Sequence, residues 1–162
     1  MTLLEQLKYR FKTANIVEQL IYINVAVFLF VFVANTLGFL FGSRINFFVE
    51  WFAMPSNLND FLIKPWTIIS YGFLHTGFLH ILFNLLLLYY IGNIFIQYFT
   101  PKQLLNFYLL GTFFGGLIYL LSYNLFPAFT NEVNSSVLLG ASAGISAIFV
   151  GIATYIPNYQ LK

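Results

Sequence analysis

The chain has 162 residues, of which 60% are hydrophobic and only 7% charged. A soluble domain of this length needs far more charge to cover its surface. The net charge of +2 comes without a basic cluster, so there is no nucleic-acid footprint. The lack of cysteine removes disulfides, zinc–thiolate sites and a thiol nucleophile, and the two His and five acidic residues are too scattered to suggest a metal site.

At the start of the chain, Leu3, Leu4, Leu7 and Phe11 recur at helical spacing among Lys8, Arg10 and Lys12. Residues 1–19 therefore read as an amphipathic segment lying on the membrane surface. Four apolar stretches follow, at 20–41, 79–99, 104–125 and 137–156. Each is long enough to cross ~30 Å of hydrocarbon, which takes ~20 helical residues. Helices are expected, because four spans cannot close a barrel and lipid does not tolerate an open sheet edge. The first stretch has the basic flank of a signal peptide. Its apolar run is too long for one and no small-residue cleavage site follows, so it reads as a retained helix.

Residues 42–78 are too polar to span and too apolar for an ordinary loop. Arg44, Glu50, Asp60 and Lys64 stand among "INFFVEWF" and "FLIKPWTIISYGFL". Trp51, Trp66 and Tyr71 suit a headgroup region, so the segment reads as a folded interfacial element with short helices. Residues 123–136, with Asn124, Pro127, Asn131, Glu132 and Asn134, read as an ordinary polar connection. Placing the N-terminus in the cytoplasm puts Lys8, Arg10, Lys12, Lys102 and Lys162 inside and Arg44 and Lys64 outside, which satisfies the positive-inside rule.

That orientation brings polar residues to one depth. His80 and Asn84 are four apart and share a helix face near the outer end of the second span. Ser142 is expected about two turns into the fourth span, which also enters from outside. Each has a structural reading beside the functional one. Ser142 lies among Gly140, Ala141, Ala143, Gly144, Ser146, Ala147 and Gly151, a run of small residues that lets helices pack closely, as Gly111 and Gly115 do on the third span. Asn84 can bond between helices, and His80 can cap a buried carbonyl. His75 falls off the face of His80 and belongs to the turn leading into the span. Together the three polar residues suit acyl transfer, with Ser142 as nucleophile and His80 and Asn84 as donors to an oxyanion. Gly140 and Gly144 would let a substrate backbone come close.

In these stretches the sequence resembles the rhomboid family of intramembrane serine proteases. "HTGFLHILFNLLLLYYIG" is similar to the family's second transmembrane helix, with its His-x-x-x-Asn at His80 and Asn84. "LLGASAGISAIFVG" is similar to the Gly-x-Ser motif that begins the fourth, and "KPWTIISYGFLH" to the stretch leading into the second. The resemblance implies an all-α polytopic bundle, with four of the usual six transmembrane helices in residues 20–162 and none of the family's later ones. It implies cofactor-free hydrolysis of a peptide bond in or near the transmembrane segment of a membrane-protein substrate. Ser142 would attack, and its main-chain N–H with His80 and Asn84 would hold the oxyanion. Gly140 would sit in the motif before the nucleophile.

Two departures stand out. Ala143 follows the serine where the family usually has glycine. The family's general base is a histidine on the sixth helix, and this sequence has no histidine after His80. A serine hydroxyl without a base is a poor nucleophile. The expectation is a fragment or a truncated gene product that ends after the fourth helix and is inactive as it stands. Its partners would be transmembrane substrates and the lipid bilayer, with neither nucleic acid nor metal. Its place would be a bacterial inner membrane. The rival is an inactive rhomboid-like protein that binds transmembrane segments without cutting them.

Overall fold

The computed structural model describes residues 2–42 and 46–155. Arg44, Ile156, Lys162 and the "PNYQLK" ending, used above for orientation, span length and truncation, lie outside the described residues.

Helices α1 (Leu3–Thr13) and α2 (Ile16–Leu40) are each opened by a capping box. The Thr2 side chain accepts from the Glu5 N–H while Glu5 accepts from the Thr2 N–H, and Asn15 and Glu18 repeat the exchange. Each box satisfies two backbone donors that a helix start leaves unpaired. Between α2 and the second span come short helices α3 (Phe47–Phe52), α4 (Leu58–Ile63) and α5 (Thr67–Ser70), then a 3-10 turn at Tyr71–Phe73. The second span is α6 (Phe78–Tyr98). Thr100 and Gln103 form a third capping box, with Pro101 at the first helical position of α7 (Pro101–Leu125). Helix α8 is Ser142–Tyr155.

Helices α2, α6 and α7 have 25, 21 and 25 residues and are apolar enough to cross a membrane. At 1.5 Å per residue they run about 31 to 38 Å. Their outer faces are apolar, with Phe30, Phe39, Tyr90 and Ile118 more than three-fifths exposed. Lipid, not water, suits that surface.

The fourth span departs from expectation. Among the described residues its helix covers 142–155, about 21 Å by the same rise. Val137–Leu138 instead forms strand β2, which pairs antiparallel with β1 (Met54–Pro55): Met54 faces Leu138 and Pro55 faces Val137. A continuous apolar run cannot by itself separate a short buried strand from a helix, and the partner strand lies some eighty residues earlier.

The 123–136 connection is likewise more than a polar tether. The Ser56 hydroxyl donates to the carbonyls of Val133 and Ser136 at 2.9 and 2.7 Å, and Asn57 Nδ2 donates to Asn134 Oδ1 at 2.6 Å. Asn124 Nδ2 reaches back to the Ser56 carbonyl at 2.7 Å. The interfacial element is thereby clamped to the α7–α8 connection. Its own frame is aromatic: Trp51 and Trp66 stack with centroids 6.3 Å apart, and Trp66 Nε1–H donates to the Trp51 carbonyl.

Helices α7 and α8 meet along small residues. A Cβ on Gly115 would lie 2.7 Å from Ala143 Cβ, and one on Gly111 would collide with Ala147. The backbones therefore approach closely where dispersion and short-range contacts supply the packing energy in lipid. Below this seam Val17, Leu20, Leu88, Phe95, Leu104, Tyr108, Ile145 and Ile148 form the main apolar core.

Candidate functional site

The site is built where three pieces of chain meet: the 3-10 turn with the residues after it, the first two turns of α6, and the turn before α8. Gly77 is the N-cap of α6, so His75 precedes the helix while His80 and Asn84 lie on it. Asn84 is buried, and its Nδ2 donates to the His80 carbonyl at 2.9 Å. An amide carries two N–H donors, so one remains for another acceptor.

From the other side, β2 ends at Leu138 and Gly140 takes φ +114°. That backbone conformation is strained for any residue with a Cβ. It turns the chain from strand direction into α8. The Gly140 N–H donates to the Tyr71 carbonyl at 2.9 Å. Tyr71 is itself pinned, its hydroxyl donating to the Thr112 carbonyl at 2.6 Å. The next N–H, from fully buried Ala141, donates to His75 Nε2 at 3.5 Å. Ser142 then opens α8 with its side chain exposed.

This turn rests against α6. A Cβ on Gly140 would stand 2.7 Å from His80 Nε2 and 3.9 Å from Asn84 Nδ2. The His75 and His80 rings lie 5.0 Å apart, edge to face. Ser142, His80, Asn84 and Gly140 thus gather at one end of the bundle. Ser142 is the first residue of α8, not two turns into it, because the strand takes up the preceding residues. Gly144 departs from expectation as well. It is buried against α7, where a Cβ would lie 2.7 Å from the Tyr108 carbonyl. The space foreseen for a substrate backbone at Gly144 is filled by α7.

The electrostatics favour negative charge beside Ser142. The first turn of a helix leaves N–H groups without intrahelical partners, and the helix dipole puts partial positive charge there. The free Asn84 N–H and the His80 ring lie on the same side of the bundle. No side-chain hydrogen bond joins the Ser142 hydroxyl to another described residue. His75 must be neutral at Nε2 to accept from Ala141, which puts its proton on Nδ1. Burial pushes its pKa down from 6.5 to about 4, the nearby His80 acts in the same direction, and a backbone contact at Phe73 opposes them.

The model of the Rhomboid domain matches residues 63–161, about three-fifths of the chain. The chain belongs to the rhomboid family. The matched span takes in the turn, α6, α7 and α8, and with them all five candidate positions, Gly140, Ser142, Gly144, His80 and Asn84. The protein is an all-α rhomboid-like integral membrane protein. No curated protein and no solved structure matches it.

Sequence reasoning missed the residues that hold the Gly140–Ser142 turn, His75 and Tyr71; Tyr71, expected at the headgroup level, is fully buried instead. The sequence placed His75 in the turn leading into the span, and that is where it lies, just before the N-cap Gly77; what it did not reveal is that His75 accepts from the Ala141 N–H.

Proposed function

We propose that this protein is a rhomboid-type intramembrane serine endopeptidase, cutting a peptide bond in or near the transmembrane segment of a membrane-protein substrate. Ser142 Oγ attacks the scissile carbonyl carbon and forms the acyl-enzyme, and the leaving amine departs with a proton. Water then hydrolyses the ester and regenerates the hydroxyl. The Ser142 N–H, Asn84 Nδ2 and His80 stabilise the tetrahedral oxyanion. In the family the proton acceptor is a histidine on the sixth helix, and within residues 1–162 no histidine follows His80. With the N-terminus cytoplasmic, the site opens to the outer side, where water is at hand.

The observation that carries this reading is the turn itself. Gly140 at φ +114° packs on His80 and delivers Ser142 to a helix N-terminus, the place where an oxyanion gains most. A rhomboid-like protein that only binds transmembrane segments is the second reading, favoured by the unbonded Ser142 hydroxyl. A fluorophosphonate probe applied to the complete gene product separates them. The protease reading expects covalent label on Ser142 and none on S142A. A folded wild-type protein that takes no label supports binding without cleavage. Reading the frame past Lys162 checks the source of the base: two more apolar segments, the second with a histidine, would supply it, and a stop codon there would leave Ser142 without the family's base and support the binding reading.

A further inference from the structure

The N-terminal hairpin of helices carries a feature the serine site does not use. Helix α1 buries none of its residues. Leu3, Leu4, Leu7 and Phe11 are 40 to 74% exposed. Between α1 and α2 lies a cleft of about 660 Å³, within the rough 300–1,000 Å³ range of small-ligand sites. Leu7 and Phe11 of α1 and Tyr22, Ala26 and Leu29 of α2 form its apolar walls.

The cleft is held open by the fold. Gln19 Nε2 donates to the carbonyls of Phe11 and Ala14 at 3.1 and 3.2 Å, fixing the elbow between the helices. The Asn15–Glu18 capping box stiffens the start of α2, and the rings of Phe11 and Tyr22 lie 6.5 Å apart near the vertex.

Lys8, Arg10 and Lys12 also line this cleft. The nearby carboxylates are committed elsewhere, Glu5 to the Thr2 N–H and Glu18 to the Asn15 N–H. Among the described residues none of the three cations has a carboxylate partner. An apolar wedge edged by unpaired cations matches a molecule with acyl chains and an anionic phosphate head. Arginine can grip such a phosphate with two parallel N–H bonds, and lysine as a point charge.

We propose that the α1–α2 cleft binds an anionic glycerophospholipid, an acyl chain lying between the helices and the phosphate on Lys8, Arg10 and Lys12. The site stands apart from Ser142 and does not depend on the protease reading.

Native mass spectrometry of the full chain, released from neutral detergent after addition of phosphatidylglycerol or phosphatidylcholine, tests it. The wild type should retain phosphatidylglycerol in preference to phosphatidylcholine. In K8Q/R10Q/K12Q the preference should fall by about five-fold per cation removed, the factor equivalent to the surface attraction of one basic residue. A26W keeps every cation but fills the cleft, and it should lose the retained lipid. L110W, on the exposed face of α7, should behave as wild type. Equal retention of the two lipids by wild type overturns the proposal, as does A26W that retains phosphatidylglycerol, which would mean diffuse surface attraction. So does a lipid-free dimer seated through α1. The wild-type comparison stands even if a variant fails to fold.

Discussion

Gly140 and His80 are in contact across the turn before α8, so close that a Cβ on Gly140 would lie 2.7 Å from His80 Nε2. The glycine is needed twice, once for its φ of +114° and once for space. G140A should therefore both strain the backbone, by ~1–2 kcal/mol, and push on His80. The expected result is a lower thermal midpoint in detergent together with loss of Ser142 labelling in the complete protein. Unchanged labelling would mean the turn tolerates the shift.

His75 gives the turn a pH dependence. Its pKa is about 4 in the fold, against 6.5 in an unfolded chain. Between those values the unfolded state binds more protons, so stability falls as pH drops from about 6.5 to about 4 and the contribution is flat outside that window. Protonation also removes the acceptor for the Ala141 N–H. Thermal midpoints measured at pH 7.5 and pH 5 should fall on acidification in wild type. They should fall less in H75A, which is already destabilised at pH 7.5. An equal drop in both would place the titrating group elsewhere.

The α7–α8 seam has no room for added carbon. G115A brings a methyl group to 2.7 Å from Ala143 Cβ and against the Tyr71 hydroxyl. Overpacking of this kind costs ~1–3 kcal/mol. G115A should lower the midpoint of unfolding by denaturant, and pairing it with A143G should recover part of the loss. No recovery in the double variant would show that the two positions are not coupled.

Tyr108 ties three elements through one hydroxyl. It donates to the Gly72 carbonyl at 3.1 Å and accepts from Asn24 Nδ2 at 3.4 Å. Y108F leaves both partners short of a bond in the buried core. Interhelical hydrogen bonds in membranes average ~0.6 kcal/mol and reach ~1.7, so a destabilisation within that range is expected by reversible unfolding in detergent. N24A combined with Y108F should cost less than the sum of the two single changes.

The first three spans were legible because their signal is local: about twenty apolar residues crossing lipid satisfy their backbone groups as a helix. His80 and Asn84 were legible for the same reason, since four-residue spacing fixes a shared face once the helix is known. What the sequence hid depends on distant partners. Val137–Leu138 looks helical until Met54–Pro55 supplies the strand it pairs with. That pairing shifts the helix start to Ser142 and leaves Gly140 in the turn. Gly144 shows the opposite ambiguity: a small residue beside a serine fits either a substrate path or a helix seam, and only Tyr108 and Thr112 packed against it decide. His75 was hidden because its partner, the Ala141 N–H, is a backbone group and carries no side-chain signature.

The central claim is that Ser142, delivered by the Gly140 turn to the start of α8, is the nucleophile of an intramembrane protease. The most direct measurement is cleavage of a transmembrane reporter by the complete gene product in proteoliposomes, wild type against S142A at matched insertion. The account predicts a specific cut by wild type and none by S142A. Cleavage that survives S142A at the wild-type rate would contradict it.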